Sequence, residues 1–185
     1  ALKISGKGTE ILLTDIESTN IVNTYRSTFP GVPFTWKQLN AAISILAGSG
    51  GSFSIGPCVF EKGRISLPNG LYLNYHNLRH TPDGWLYDHS GKPRRLYGGA
   101  LLENIVQALA RIIVMDAAVR IKNKIGNGTP LALQVHDALV YVVPDAMVDV
   151  VQPIMMEEMN RTVAWAPGLI LAAEANKGPS YGECK

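Results

Sequence analysis

One amphipathic pattern, at residues 100–125, limits the fold of this chain more than any other feature. The segment reads ALLENIVQALARIIVMDAAVRIKNKI, and its apolar side chains recur at helical spacing on one broad stripe. That stripe consists of Leu101, Leu102, Ile105, Val106, Leu109, Ile112, Ile113, Ala117 and Ile121. Gly126 follows, and glycine commonly ends a helix. The pattern therefore predicts one long helix that the rest of the chain packs against.

Two shorter helices are predicted before it. Thr14 or Asp15 is suited to cap the first, which Pro30-Gly31 should end. The second is expected to begin near residues 33–35 and to stop at the glycine-rich residues 48–52. One side of the second helix carries Trp36, Leu39, Ile43 and Leu46.

The middle of the chain, residues 53–96, is divided by glycine, proline and asparagine into short β-like pieces, which predicts hairpins. Residues 76–99, which overlap the end of this segment, are polar and rich in turn formers. We therefore expect an exposed excursion there rather than core.

A second hairpin is predicted at residues 131–143, LALQVHDALVYVV, because apolar residues alternate on both sides of His136-Asp137. A last helix should start at Pro144-Asp145 and run to about residue 165, with Pro153 kinking or interrupting it. Residues 169–175 resemble a closing strand. Together these elements predict an α+β fold, in which the long and last helices pack on an antiparallel sheet.

Composition narrows the class of protein. The chain is 46% hydrophobic with a net charge of +2, which fits a globular protein and allows a polyanionic partner. Cys58 and Cys184 are far apart, so neither a disulfide framework nor a zinc site is indicated. No window approaches the roughly eighteen uninterrupted apolar residues of a membrane span, and no signal-peptide pattern is present. We therefore expect a cytoplasmic protein without a membrane, in the host cell cytoplasm if it is viral.

Asp137 is the first candidate for chemistry, because a carboxylate between apolar strands is costly to bury unless it has a partner. At a hairpin tip it would project into solvent or a cleft. One interpretation is a simple turn residue beside a histidine. The other is a ligand for Mg²⁺, which prefers one or two carboxylates together with substrate phosphates.

Four stretches, QVHDALVY, YGGALLENIVQALAR, IVNTYRSTFPGVPFTWKQL and ISLPNGLYLNYHNLR, together with the C-terminal tail, resemble the family A DNA polymerases in the correct order. These are the enzymes of the bacterial DNA polymerase I type, and the similarity is greatest to their bacteriophage members. The resemblance implies a palm at residues 97–185 that includes motif C. It further implies a helical part-fingers segment at 1–52, with the hairpins and exposed loop of 53–96 between them.

The resemblance also implies roles for single residues. Asp137 matches the aspartate that binds the catalytic Mg²⁺ ions, and His136 matches the histidine near the primer terminus. Gln107 matches a glutamine that reaches the minor groove, and it lies on an apolar helix where an amide needs a partner. The alternative for Gln107 is a solvated position on the helix. Further DNA contacts are expected from Glu103 or Asn104 and from Arg111.

The basic cluster Lys92, Arg94 and Arg95 has two interpretations, a solvated surface or a phosphate-contact site. The chain also departs from the family pattern. Ala138 replaces the second acidic residue of motif C, Arg111-Ile112 replaces an Arg-Asp pair, and Leu71 replaces an arginine of the hairpin.

A two-metal mechanism needs a second aspartate, which the family carries further upstream than this chain extends. The sequence therefore predicts the C-terminal portion of a DNA polymerase that is inactive alone. Its expected partners are primer-template DNA, deoxynucleoside triphosphates, and the N-terminal segment or a partner subunit. The alternatives are a non-catalytic DNA-binding or assembly subunit of a replication complex, and a metal phosphohydrolase that uses His136 and Asp137.

Overall fold

The computed structural model describes residues 2–6 and 9–184, with side chains from Leu13 onward. Residues 1, 7, 8 and 185, which belong to the predicted segments 1–52 and 97–185, lie outside the described residues. Helices and antiparallel sheets coexist in the described part, which confirms the predicted α+β class.

The segment predicted to be helical begins instead with a hairpin, formed by β1 (Leu2–Gly6) and β2 (Thr9–Leu13). Helix α1 (Asp15–Thr28) follows, and Thr14 caps it as predicted. The Glu17 backbone N–H donates to Thr14 Oγ1 at 3.2 Å, while the Thr14 backbone N–H donates to Glu17 Oε2 at 2.8 Å. This reciprocal cap fixes the start of α1, although none of its residues is buried.

Helix α2 (Gly31–Leu46) begins two residues before its predicted start. Leu39, Ile43 and Leu46 are buried, which confirms the apolar side expected for this helix. The helix ends at the glycine-rich segment, as the sequence indicated.

Seven strands follow α2 and form two antiparallel meanders. The first sheet contains β3 (Phe53–Ile55), β4 (Cys58–Glu61), β5 (Arg64–Ser66) and β6 (Tyr72–Asn74). The second contains β7 (His76–Thr81), β8 (Gly84–His89) and β9 (Lys92–Leu96).

The prediction of an exposed loop at residues 76–99 is therefore wrong. Trp85 and Tyr87 pack against the main apolar cluster, and Leu96 is buried. The polar composition of the segment reflects a sheet with only one covered face, and such a sheet keeps polar residues on the other face.

The long helix is confirmed as α3 (Gly98–Ile125), and Gly126 ends it with a φ of 79°, a conformation that favours glycine. By length and composition α3 could cross a membrane. Here its buried residues pack against α2, the sheets, the second hairpin and the last helix.

The predicted second hairpin is confirmed as β10 (Leu131–Val135) and β11 (Ala138–Tyr141). These two strands pair only with each other in the described chain, so the larger antiparallel sheet expected around them is not seen. Helix α4 (Val148–Met159) follows a short 3-10 turn at Asp145–Met147. It continues through Pro153 without interruption and ends six residues before the predicted boundary.

The predicted closing strand at residues 169–175 is wrong. This segment pairs with no described strand and is held on α4 by side chains instead. The Ala173 backbone N–H donates to Asn160 Oδ1 at 2.7 Å, and Gln152 Nε2 donates to the Ala175 carbonyl oxygen at 2.6 Å. The apolar composition of a segment does not tell whether another strand lies beside it to pair with.

Candidate functional site

The tip of the β10–β11 hairpin is a two-residue turn made of His136 and Asp137. Val135 pairs with Ala138 across the strands, which leaves only these two residues in the turn. His136 has a φ of 55°, in the left-handed region that costs a residue with a side chain about 1–2 kcal/mol. A positive φ at the first residue is also usual in two-residue hairpin turns, so this conformation sets the shape of the tip.

Contacts to α3 fix the position of the hairpin. Leu139 is buried in a cluster with Val114, Ala118 and Ile121 of α3. The Tyr141 hydroxyl donates to the Ala118 carbonyl oxygen at 3.2 Å, and burial raises the pKa of this tyrosine. These contacts hold the His136-Asp137 tip beside the middle of α3.

A cleft of about 930 Å³ lies between the tip, α3 and the two meanders. Its lining includes five of the residues singled out in the sequence, together with Gln134 of β10. Those five are Asn104, Gln107, Arg111, His136 and Asp137. The structure thus brings together residues from two segments that are about 30 positions apart in the sequence.

Charge within this cleft is unevenly distributed. Arg111 is exposed on α3, and Asp137 is exposed at the tip. Neither forms an ion pair with a described residue. Asp137 is the one carboxylate among the lining residues. A cation could therefore bind Asp137, and a phosphate could bind Arg111.

Asn104 has an internal partner. Its Nδ2 donates to the Tyr75 hydroxyl at 3.2 Å. Tyr75 is only 3% exposed, and this burial raises its pKa to about 12. Asn104 therefore ties α3 to the chain between β6 and β7, and it also lines the cleft.

Gln107 does not lie in the apolar surroundings that the sequence predicted. The residue is exposed rather than enclosed by apolar neighbours, because Val106 beside it is 55% exposed. Its Nε2 donates to Glu103 Oε1 at 3.2 Å, so the amide already has a partner. Gln107 still lines the cleft, whereas Glu103 lies outside the lining.

The basic residues Lys92, Arg94 and Arg95 are exposed on β9 and do not line the cleft. Their predicted role in DNA binding stays a prediction. Two residues of the neighbouring strand, Tyr87 and His89, do line the cleft and were missed in the sequence. The alternation of Trp85, Tyr87 and His89 in GWLYDH is the signal that could have identified them.

Comparison with known proteins gives one informative similarity. The chain is 42% identical over 123 residues to a DNA polymerase of Bacillus phage SP02. The match covers 60% of this chain but only 18% of the phage protein, so the chain spans about a fifth of that relative's length. No family profile and no solved structure matches the chain. The similarity supports the interpretation of this chain as DNA polymerase sequence.

The candidate metal ligands of the described chain are few. The described residues contain no group of three His, Cys, Asp or Glu side chains that could hold a metal ion. Asp137 offers carboxylate oxygens of the type that Mg²⁺ prefers, and Mg²⁺ commonly takes only one or two carboxylates beside water and substrate phosphates. The cleft therefore offers one carboxylate of the kind that Mg²⁺ takes, that of Asp137, and the described residues hold no complete set of metal ligands.

Proposed function

We propose that this chain is the portion of a family A DNA polymerase that holds the primer-template and contributes one metal-binding carboxylate. The observation that carries the proposal is the cleft, which gathers Gln107, Arg111, His136 and Asp137 against one helix. The identity to a phage DNA polymerase supports the same function. In this proposal the β10–β11 hairpin, α3 and α4 belong to the palm.

Each cleft residue has a proposed task that follows from its chemistry. Asp137 would bind Mg²⁺ through its carboxylate, and Mg²⁺ when bound would stabilise the charge on the transferring phosphoryl group. The His136 imidazole would contact the primer terminus, and Arg111 would contact a backbone phosphate. Gln107 would read the minor groove, where its amide can exchange the Glu103 contact for a base edge.

The complete reaction would need more than this chain. Attack of the primer 3′ hydroxyl on the α-phosphate of a deoxynucleoside triphosphate, with release of pyrophosphate, calls for a second metal-binding aspartate in the two-metal scheme. We propose that an upstream polymerase segment, or a partner chain, supplies it.

The test is primer extension by the chain combined with the remaining polymerase segment, in the presence of Mg²⁺ and deoxynucleotides. Asp137→Ala should lower the rate by at least about 100-fold, a loss typical when one group that stabilises charge in the transition state is removed. Asp83→Ala is the matched control, because Asp83 is an exposed carboxylate in the β7–β8 turn, outside the cleft lining.

Extension that survives Asp137→Ala unchanged would refute the role of this residue. Primer-template binding without extension in any combination would instead support a non-catalytic DNA-binding subunit. Hydrolysis of a simple phosphoester without DNA would point to a phosphohydrolase.

A further inference from the structure

The β7–β9 sheet has two chemically different faces. Tyr87 pairs with Arg94 and His89 pairs with Lys92, and side chains directly opposite on antiparallel strands share a face. Since Tyr87 and His89 line the cleft, Arg94 and Lys92 lie on the same side of the sheet as the cleft. We name these four residues the basic sheet face.

The other side of the sheet faces away from the cleft and carries the one acidic residue of the three described strands. Arg95 pairs with Leu86, one position out of phase with Arg94, and therefore lies on the opposite face. That face also carries Asp88, which accepts from Arg79 at 3.0 Å and from Asn77 at 2.7 Å. These hydrogen bonds lower the pKa of the Asp88 carboxyl, so it stays ionised beside its arginine.

On the cleft side no carboxylate is present along the three strands, all of which the structure describes. Asp88 is their one acidic residue, and the register places it on the opposite side. Lys92 and Arg94 are exposed and form no ion pair with a described residue. Two positions apart on a strand, their Cα atoms are separated by about 7 Å.

Cations spaced along an extended strand next to a groove are suited to bind a polyanion with repeating charges. Near Leu96 and Trp85 this side of the sheet is apolar and packs on the core, whereas its far end at His89 and Lys92 is exposed. The far end therefore extends the wall of the cleft outward. Arg111, on the α3 wall, lies within the cleft itself.

We infer that the basic sheet face binds the sugar-phosphate backbone of the DNA held in the cleft, through Lys92 and Arg94, and that Arg95 takes no part. The inference rests on the proposed function for its ligand. The three basic residues, which looked equivalent in the sequence, are thereby divided into two DNA contacts, Lys92 and Arg94, and one residue without contact to DNA, Arg95.

The test compares Arg94→Ala with Arg95→Ala in the 185-residue chain. The two variants remove the same charge from adjacent positions of one strand, so any effect of net charge alone is equal in both. Binding to a fluorescently labelled primer-template duplex is measured by anisotropy from 0.05 to about 0.3 M salt, the range over which counterion release is marked. Thermal melting by circular dichroism checks that both variants are folded.

Arg94→Ala should reduce the slope of log affinity against log salt by about 0.9, the contribution of one neutralised phosphate. This corresponds to about eightfold weaker binding at 0.1 M salt, if the two lines converge near 1 M. Lys92→Ala should behave in the same way, and Arg95→Ala should retain the slope of the unmodified chain.

Equal effects of Arg94→Ala and Arg95→Ala, or no effect of Arg94→Ala, would overturn the inference, as would absence of duplex binding by the chain. Primer extension separates this failure from failure of the proposed function. Dependence of extension on Asp137 together with equal effects at positions 94 and 95 would refute only the sheet face. A slope change confined to Arg94 and Lys92, without any role for Asp137 in extension, would support DNA binding without catalysis.

Discussion

Glu158 of α4 offers the sharpest test of how the fold is held together. Its side chain is 1% exposed, yet it is charged, because α3 supplies two cations. Arg120 Nε lies 2.6 Å from Glu158 Oε2, and Lys124 Nζ lies 2.7 Å from Oε1. Arg120 Nη2 also donates to the Glu158 carbonyl oxygen at 2.9 Å. Glu158→Gln keeps the shape of the side chain and removes its charge. We predict that this variant weakens the packing of α4 on α3 and lowers the free energy of unfolding.

The size of the effect follows from the pKa. Hydrogen bonds from Lys124 and then Arg120 lower the pKa of Glu158 from its ordinary 4.5 to about 2, which corresponds to about 3 kcal/mol at neutral pH. Arg120 and Lys124 are 27% and 40% exposed, so solvent screening reduces this value. We expect Glu158→Gln to lower the free energy of unfolding by about 2 kcal/mol, measured by urea denaturation at constant m.

The pH dependence gives a second measurement. A carboxyl whose pKa is lower in the folded state stabilises the fold above the pKa of the unfolded state. This stabilisation should be complete above about pH 5 and should be lost as the pH falls from 4.5 toward 2. The stability difference between the unmodified chain and Glu158→Gln should therefore shrink over that range.

Glu157→Gln is the matched control. Glu157 contacts the same Lys124 Nζ at 2.9 Å but is 68% exposed, so its loss should cost less than about 1 kcal/mol. Equal losses for the two variants, or a Glu158→Gln difference that does not change between pH 5 and 2.5, would refute the reasoning.

Two further predictions concern backbone positions. A Cβ at Gly98 would lie 1.9 Å from the Trp36 carbonyl oxygen. Gly98→Ala should therefore force α3 away from α2 and lower the free energy of unfolding in urea by about 3 kcal/mol or more. Gly128→Ala is the control, because a Cβ there would have no atom within 4 Å. At the tip, His136→Gly should be about 1 kcal/mol more stable than His136→Ala, because glycine alone relieves the strain at a φ of 55°. In combination with the remaining polymerase segment, both variants should nevertheless support slower primer extension than the unmodified chain does. Equal stability of the two variants would contradict the strain.

Local patterns allowed the long helix and the second hairpin to be predicted from sequence. In α3 the apolar stripe and Gly126 are sufficient, since helical periodicity and a C-terminal glycine are properties of the segment itself. The β10–β11 hairpin was equally visible, because strict alternation around two polar residues leaves few other conformations. Such features depend on neighbours along the chain.

The failures share a dependence on distant partners. Residues 169–175 have the composition of a strand, but a strand also needs a neighbour to pair with. Gln107 seemed to lie among apolar residues, because a helical sequence does not tell which part of the stripe the rest of the fold covers. The division of Lys92, Arg94 and Arg95 between two faces depends on the register of β8 and β9, so the sequence made no prediction about it.

The position of the cleft along α3 connects these observations. Two separate apolar clusters pack on the helix, one around Leu101 and Ile105 with α2 and the sheets, the other around Ala118 and Ile121 with the β10–β11 hairpin. The cleft opens where they meet, so its sheet wall belongs to one cluster and the Asp137 tip to the other. Because α3 is a single continuous helix, it sets the distance between the two walls. Loosening α4 at Glu158 should therefore disturb Asp137 before it disturbs the basic sheet face, and loss of extension should precede loss of DNA binding.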